Sequence, residues 1–163
     1  MRDIPALIKG LEITGPILAD FVGSIPADKM NLRRGEGFWT IAEHISHLAQ
    51  VQAMLLERLQ RFMTEERPEF VPYIPDDDTP AATQPLQLTA DEALEVFARD
   101  RGRQLALLAK ADEAVWRKTA GHPEYELYSM HILVRHILMH DHWHMYRMEE
   151  LWLTKDPYLT RLE

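Results

Sequence analysis

Cysteine is absent from this chain. That excludes disulfides, thiolate metal ligands and a cysteine nucleophile together, so any metal must rest on His, Asp or Glu. The lack of cysteine also suits a reducing cytoplasm, the expected location. No stretch approaches eighteen consecutive apolar residues, so no membrane span is expected. The first residues, MRDIPALIKGLE, lack the apolar centre of a secretory signal because Asp3, Lys9 and Glu12 interrupt it. A surplus of basic charge is missing too. The net charge of −8 argues against nucleic acid as a partner, because phosphate neutralisation needs clustered Lys and Arg.

What is present is an ordinary globular composition, 46% hydrophobic and 27% charged over 163 residues, long enough for one domain spanning 1–163. Four amphipathic segments are legible. The first runs from about Ile4 to Gly23, with Leu7, Leu11, Leu18 and Phe21 at helical spacing and Gly15-Pro16 expected to kink or split it. The second opens at Thr40 with Glu43 three residues on, a capping box, and extends to about Met63. The third enters at Thr89-Ala90-Asp91-Glu92 and continues to roughly Lys110; the fourth begins near Ser129 and ends near Thr154. Between the second and third lies a proline-rich stretch, 65–88, containing Asp76-Asp77-Asp78. A connection that long either serves the function, for instance as a lid, or only joins helices; the three aspartates read as a solvated turn. WRKTAGHPEYEL reads as a loop, and no strand-like alternation is convincing. The expected fold is all-α, a four-helix up-and-down bundle.

The fourth segment, HILVRHILMHDHWHMYRM, concentrates five of the eight histidines. At about 100° per residue, with His140 as origin, the apolar side chains Leu133, Ile137, Met148 and Leu151 centre slightly beyond it. His144 then points into that face at roughly +40°, His136 lies at its margin, and His131 and His142 come out on the opposite, solvated side. Two imidazoles facing inward must find hydrogen bonds or a cation. The spacing alone leaves ligation and packing about level, and the Glu that follows the first His in HExxH peptidases is missing. Arg147 also projects inward and needs an anion, either a substrate group or, slightly favoured, an acidic side chain on a neighbouring helix. On the second helix His44 and His47 are both candidates for a third ligand, and periodicity does not choose between them.

Trp39-Thr40-Ile41-Ala42-Glu43 followed by His47-Leu48, with His140-Asp141-x-x-His144 far downstream, resembles the DinB-like (damage-inducible) superfamily. The similarity extends through MNLRRGEGFWTIAEHISHLA and HPEYELYSMHILVRHILMHDHWH, nearly the whole chain. The resemblance implies a four-helix bundle whose divalent metal is held by one second-helix histidine, at the position of His47, and by His140 and His144. Many members carry Gln where this chain has Arg147. Zinc or nickel suits three imidazoles first, with iron, manganese and cobalt behind. The implied activities are a thiol-dependent transferase or isomerase acting on a small electrophile, with a low-molecular-weight thiol as cosubstrate, or a metal-dependent hydrolase. A non-enzymatic metal-binding bundle is the remaining alternative, and family members commonly form homodimers. Glu43 and Asp141 are candidate holders of the ligand tautomers, although capping suits Glu43 better. His136 and Arg147 are the candidate catalytic side chains, with His136 ranked first as a packing or supporting group. Trp39, Trp143, Tyr146 and Trp152 are expected in core and interface roles, and the methionines as gap-fillers.

Overall fold

Helix starts in this chain are written in side chains that accept from the first free amides. Thr40 and Thr89 each accept from the amide three residues on, while Glu43 and Glu92 reach back to the cap amides. In the computed structural model, which describes residues 2–71 and 88–155, these two boxes open α2 (Ile41–Thr64) and α3 (Ala90–Leu108). Ser129 accepts from Ile132 to open α5 (Met130–Leu153), and α1 spans Ile4–Ser24. Asp76-Asp77-Asp78 lies outside the described residues.

Two local expectations are corrected. Gly15-Pro16 does not split α1, which runs through Pro16 as one helix. The proline forfeits one backbone hydrogen bond, but Leu11 and Leu18, both almost fully buried, keep the helix packed on either side of it. The loop before the last helix is also more ordered than its composition suggests. Asp112 caps a short helix, α4 (Glu113–Arg117), and β1 (Thr119–Ala120) pairs antiparallel with β2 (Tyr128–Ser129). Such short elements carry no periodicity to read; they hold because Trp116, Ala120 and Tyr128 are buried against the bundle. Phe70 joins them, its amide donating to the Gly121 carbonyl.

The four long helices form the expected four-helix bundle, although its course is not simply up-and-down, and the apolar side chains reveal how they are directed. One cluster joins Leu7 and Leu11 of α1 to Leu59 and Phe62 of α2, Leu108 of α3, and Met130 and Leu133 of α5. The second joins Leu18 and Val22 to Ile41 and Ile45, Ala93 and Phe97, and Met148 and Leu151. The start of α1 therefore lies with the end of α2, the end of α3 and the start of α5. Helices α1 and α5 run one way, α2 and α3 the other. Main contacts run α1–α3, α3–α2, α2–α5 and α5–α1, so α1 and α2 face each other across the bundle. Because α2 and α3 are parallel, the chain between them must return the length of α2, about 36 Å at 1.5 Å per residue. Even fully extended, that takes about ten or eleven residues. A short turn cannot make this connection.

A polar layer separates the two apolar clusters. Arg101 of α3 donates to Asp141 of α5 at 2.8 Å, and to Gln104, to Gln52 of α2 and to the Leu11 carbonyl of α1. Gln104 donates to the Gln52 side chain, which itself donates to the Leu48 carbonyl. Among the described residues no helix is long and apolar enough to cross a membrane.

Candidate metal centre

The antiparallel contact of α2 with α5 brings histidines from both helices to one height. On α2, His47 and His44 stand five and eight residues before Gln52 of the polar layer; on α5, His140 directly precedes Asp141 of that layer and His144 follows it by three residues. The Nε2 atoms of His47 and His140 are 3.1 Å apart, and the Nε2 atoms of His140 and His144 are also 3.1 Å apart. His47, His140 and His144 each offer one ring nitrogen within 4.8 Å of the other two, an arrangement that could hold a metal ion. His140 Nε2 carries either a proton or a lone pair, so it cannot satisfy both neighbours equally, and its buried Nδ1 has no hydrogen-bond partner.

The environment keeps these rings neutral. Burial lowers the His47 pKa to about 3, helped by the neighbouring His140 and His44. Burial likewise brings His140 to about 4, with Arg101 adding to the effect, and holds His144 far below the usual imidazole range. Neutral imidazoles are the form that ligates a cation. Nitrogens arranged tetrahedrally about an ion at 2.0–2.1 Å would stand about 3.3 Å apart, close to the observed spacing. The donor set therefore fits a divalent ion, with room for a further ligand from outside the protein.

The remaining histidines divide differently. His44 is buried, and its Nδ1 stands 2.8 Å from Nδ1 of His144, on the side of that ring away from the cluster. It belongs to the site without joining the three converging Nε2 atoms. Helix periodicity placed His44 on the apolar face and had no means to find its partner across the bundle. His136 stays outside the group, its ring 5.4 Å from Tyr125 and 5.9 Å from Tyr128. His142 is exposed as expected. His131 is not simply solvated: its Nε2 meets the Asp3 carboxylate at 2.9 Å, tying α5 to the start of α1.

Neither candidate holder of the ligand tautomers fills that role. Glu43 is committed to the capping box and Asp141 to Arg101. Burial raises the Asp141 pKa to about 6 against the pull of that guanidinium. Arg147 pairs with Glu150, one turn further along its own helix. Its i,i+3 carboxylate lay in plain view in the sequence.

Two cavities flank the cluster, and His47 and His140 form part of the wall of each. The larger, about 610 Å³, is bounded by Phe38, Trp39, His44, Trp143, His144 and Arg147 among others. The smaller, about 400 Å³, is bounded by Val51, Met54, Arg58, Tyr125, Tyr128 and His136 among others. Trp39 and Trp143 thus border open space beside the histidines, contrary to the expected core and interface role. Trp39 stacks nearly parallel to His144, the ring centroids 5.8 Å apart. Trp152 packs on Phe21, while Tyr146 is exposed.

Residues 11–148 match the sequence profile of the DinB superfamily. The chain belongs to the DinB superfamily. Among solved structures it resembles YfiT from Bacillus subtilis, described as "a probable metal-dependent hydrolase with an unusual four-helix bundle topology". The two superpose with a TM-score of 0.77 at 21% identity, over 93% of this chain and 86% of YfiT. This DinB superfamily chain has no match among curated proteins.

Proposed function

We propose that this DinB superfamily protein is a divalent-metal enzyme, with His47, His140 and His144 as ligands, that transfers a low-molecular-weight thiol to a small electrophile or isomerises the electrophile with that thiol. The convergence of three neutral Nε2 atoms from two helices carries the metal assignment. When bound, the ion supplies a Lewis acid with a free coordination position, able to lower the pKa of a thiol or water brought to it. Zinc and nickel suit the all-nitrogen donor set best. Favouring transfer is the presence of two cavities against the same pair of histidines, one for each reactant. In the larger, Trp39 and Trp143 offer apolar faces that keep water away, and Arg147, steadied by Glu150, sets a positive charge in the wall. In the smaller, His136, Tyr125 and Tyr128 offer ring faces and polar atoms to the second reactant. A homodimer is part of the same reading, and light scattering measures it directly.

Elemental analysis of the purified protein tests the centre: about one divalent ion per chain is expected, and loss of that ion in His140→Ala. A panel of electrophiles offered with and without small thiols then tests the reaction. Full metal occupancy without thiol-dependent turnover would defeat the transferase reading. The second reading is hydrolysis, favoured by the fold shared with YfiT. It predicts turnover with no added thiol and a rate that climbs with pH.

A further inference from the structure

We infer that His44 is a positioning residue for this centre, accepting a hydrogen bond that fixes which nitrogen of His144 faces the ion. The inference rests on the three-histidine ligation proposed above.

The argument is one of proton placement. A neutral imidazole carries one ring proton, on Nδ1 or on Nε2. The Nδ1 atoms of His44 and His144 are 2.8 Å apart, so exactly one of them bears a proton and donates it to the other. If His44 donates, the His144 proton sits on Nε2 and points into the cluster, where it blocks a cation. If His144 donates, its Nε2 presents a lone pair and His44 is protonated on Nε2. Only the second arrangement admits an ion. Ligating histidines elsewhere are oriented by a carboxylate or a carbonyl at the distal nitrogen. Here another imidazole occupies that position, and it can accept only while neutral and in one tautomer.

The surroundings hold His44 for this task. Its ring contacts Trp39 at 5.4 Å and Trp143 at 6.2 Å between centroids, while its backbone is pinned in the first turn of α2 by the Thr40 cap. Among the described residues no carboxylate hydrogen-bonds to His44 or His144; the one acidic neighbour in its first turn, Glu43, is engaged at the cap amide. His44 also borders the larger cavity.

Zinc titration by calorimetry, with a competing chelator, and ¹⁵N spectra of the zinc-loaded protein test this. The unaltered protein should show His144 protonated on Nδ1 and His44 on Nε2. His44→Phe, which keeps a ring but removes the acceptor, should bind zinc roughly 10–100-fold more weakly, while His44→Asn, which restores an acceptor near Nδ1, should recover most of that loss. Circular dichroism checks that the variants remain helical. Equal zinc affinity in His44→Phe, no recovery in His44→Asn, or a proton on His44 Nδ1 in the loaded protein overturns the inference and leaves the three ligands standing. Failure of the unaltered protein to bind zinc or nickel overturns both.

Discussion

An imidazole packed among other imidazoles and tryptophans resists protonation, because the charge would lose its water and gain like-charged neighbours. Burial sets the His44, His47 and His140 pKa values at about 4, 3 and 4, against 6.5 for a free ring. The unfolded chain therefore takes up protons below about pH 6.5 while the folded chain does not. Stability is present in full above that value and drains away as the pH falls toward 4. Asp141, raised from 3.8 to about 6, works in the opposite direction over part of that range, one group against several. The denaturation midpoint of metal-stripped protein should accordingly drop between pH 6.5 and 4, and a flat profile would refute the burial account. Much of this site is readable from residue directions: His140 and His144 follow from 100° steps along one helix. The choice between His44 and His47 does not, since both lie near the same face and the atoms that distinguish them come from a helix about one hundred positions away. Family resemblance supplied His47, and only the packed structure explains what His44 touches.

At the scale of the element, α2 is where stability and chemistry share residues. Its first turn contains the Thr40–Glu43 box, and His44 and His47 follow directly. Thr40→Ala should cost about 1 kcal/mol, read as a lower thermal midpoint, and should weaken zinc binding as well because the turn bearing His44 loses its anchor. An undiminished affinity would show that packing alone holds that turn. The capping boxes of α2 and α3 could be seen in the sequence because they are local, three residues apart. The α4 turn and the β1–β2 pair could not: five residues and two residues are too few to display a period, and what stabilises them is contact with Phe62, Phe70 and Met130. Pro16 shows the converse, a strong local signal overruled by burial of the leucines around it.

For the whole molecule, the sequence made a four-helix bundle legible through four amphipathic runs, but not the parallel course of α2 and α3, which depends on which ends meet. Both apolar clusters would tolerate volume-conserving swaps among aliphatic side chains; the polar layer between them depends on matched partners. Arg101→Met should cost about 3–5 kcal/mol, because Asp141 is left buried without its cation. Replacing both, Arg101→Met with Asp141→Leu, should return most of that stability. Urea unfolding of the two variants checks this, and equal losses in both would show that the layer matters through its shape instead of its charge.

The layer has a consequence for the chemistry above it. Each long helix contributes to it: α1 the Leu11 carbonyl, α2 Gln52, α3 Arg101 and Gln104, and α5 Asp141. A helix displaced by a single turn, about 5.4 Å, would set a charge against leucine and leave its partners unmatched. The four rods are thereby notched together at one level, like tumblers in a lock. His140 is the residue beside one notch and His47 stands little more than a turn from another, so the alignment that seats Arg101 also decides whether the imidazoles meet.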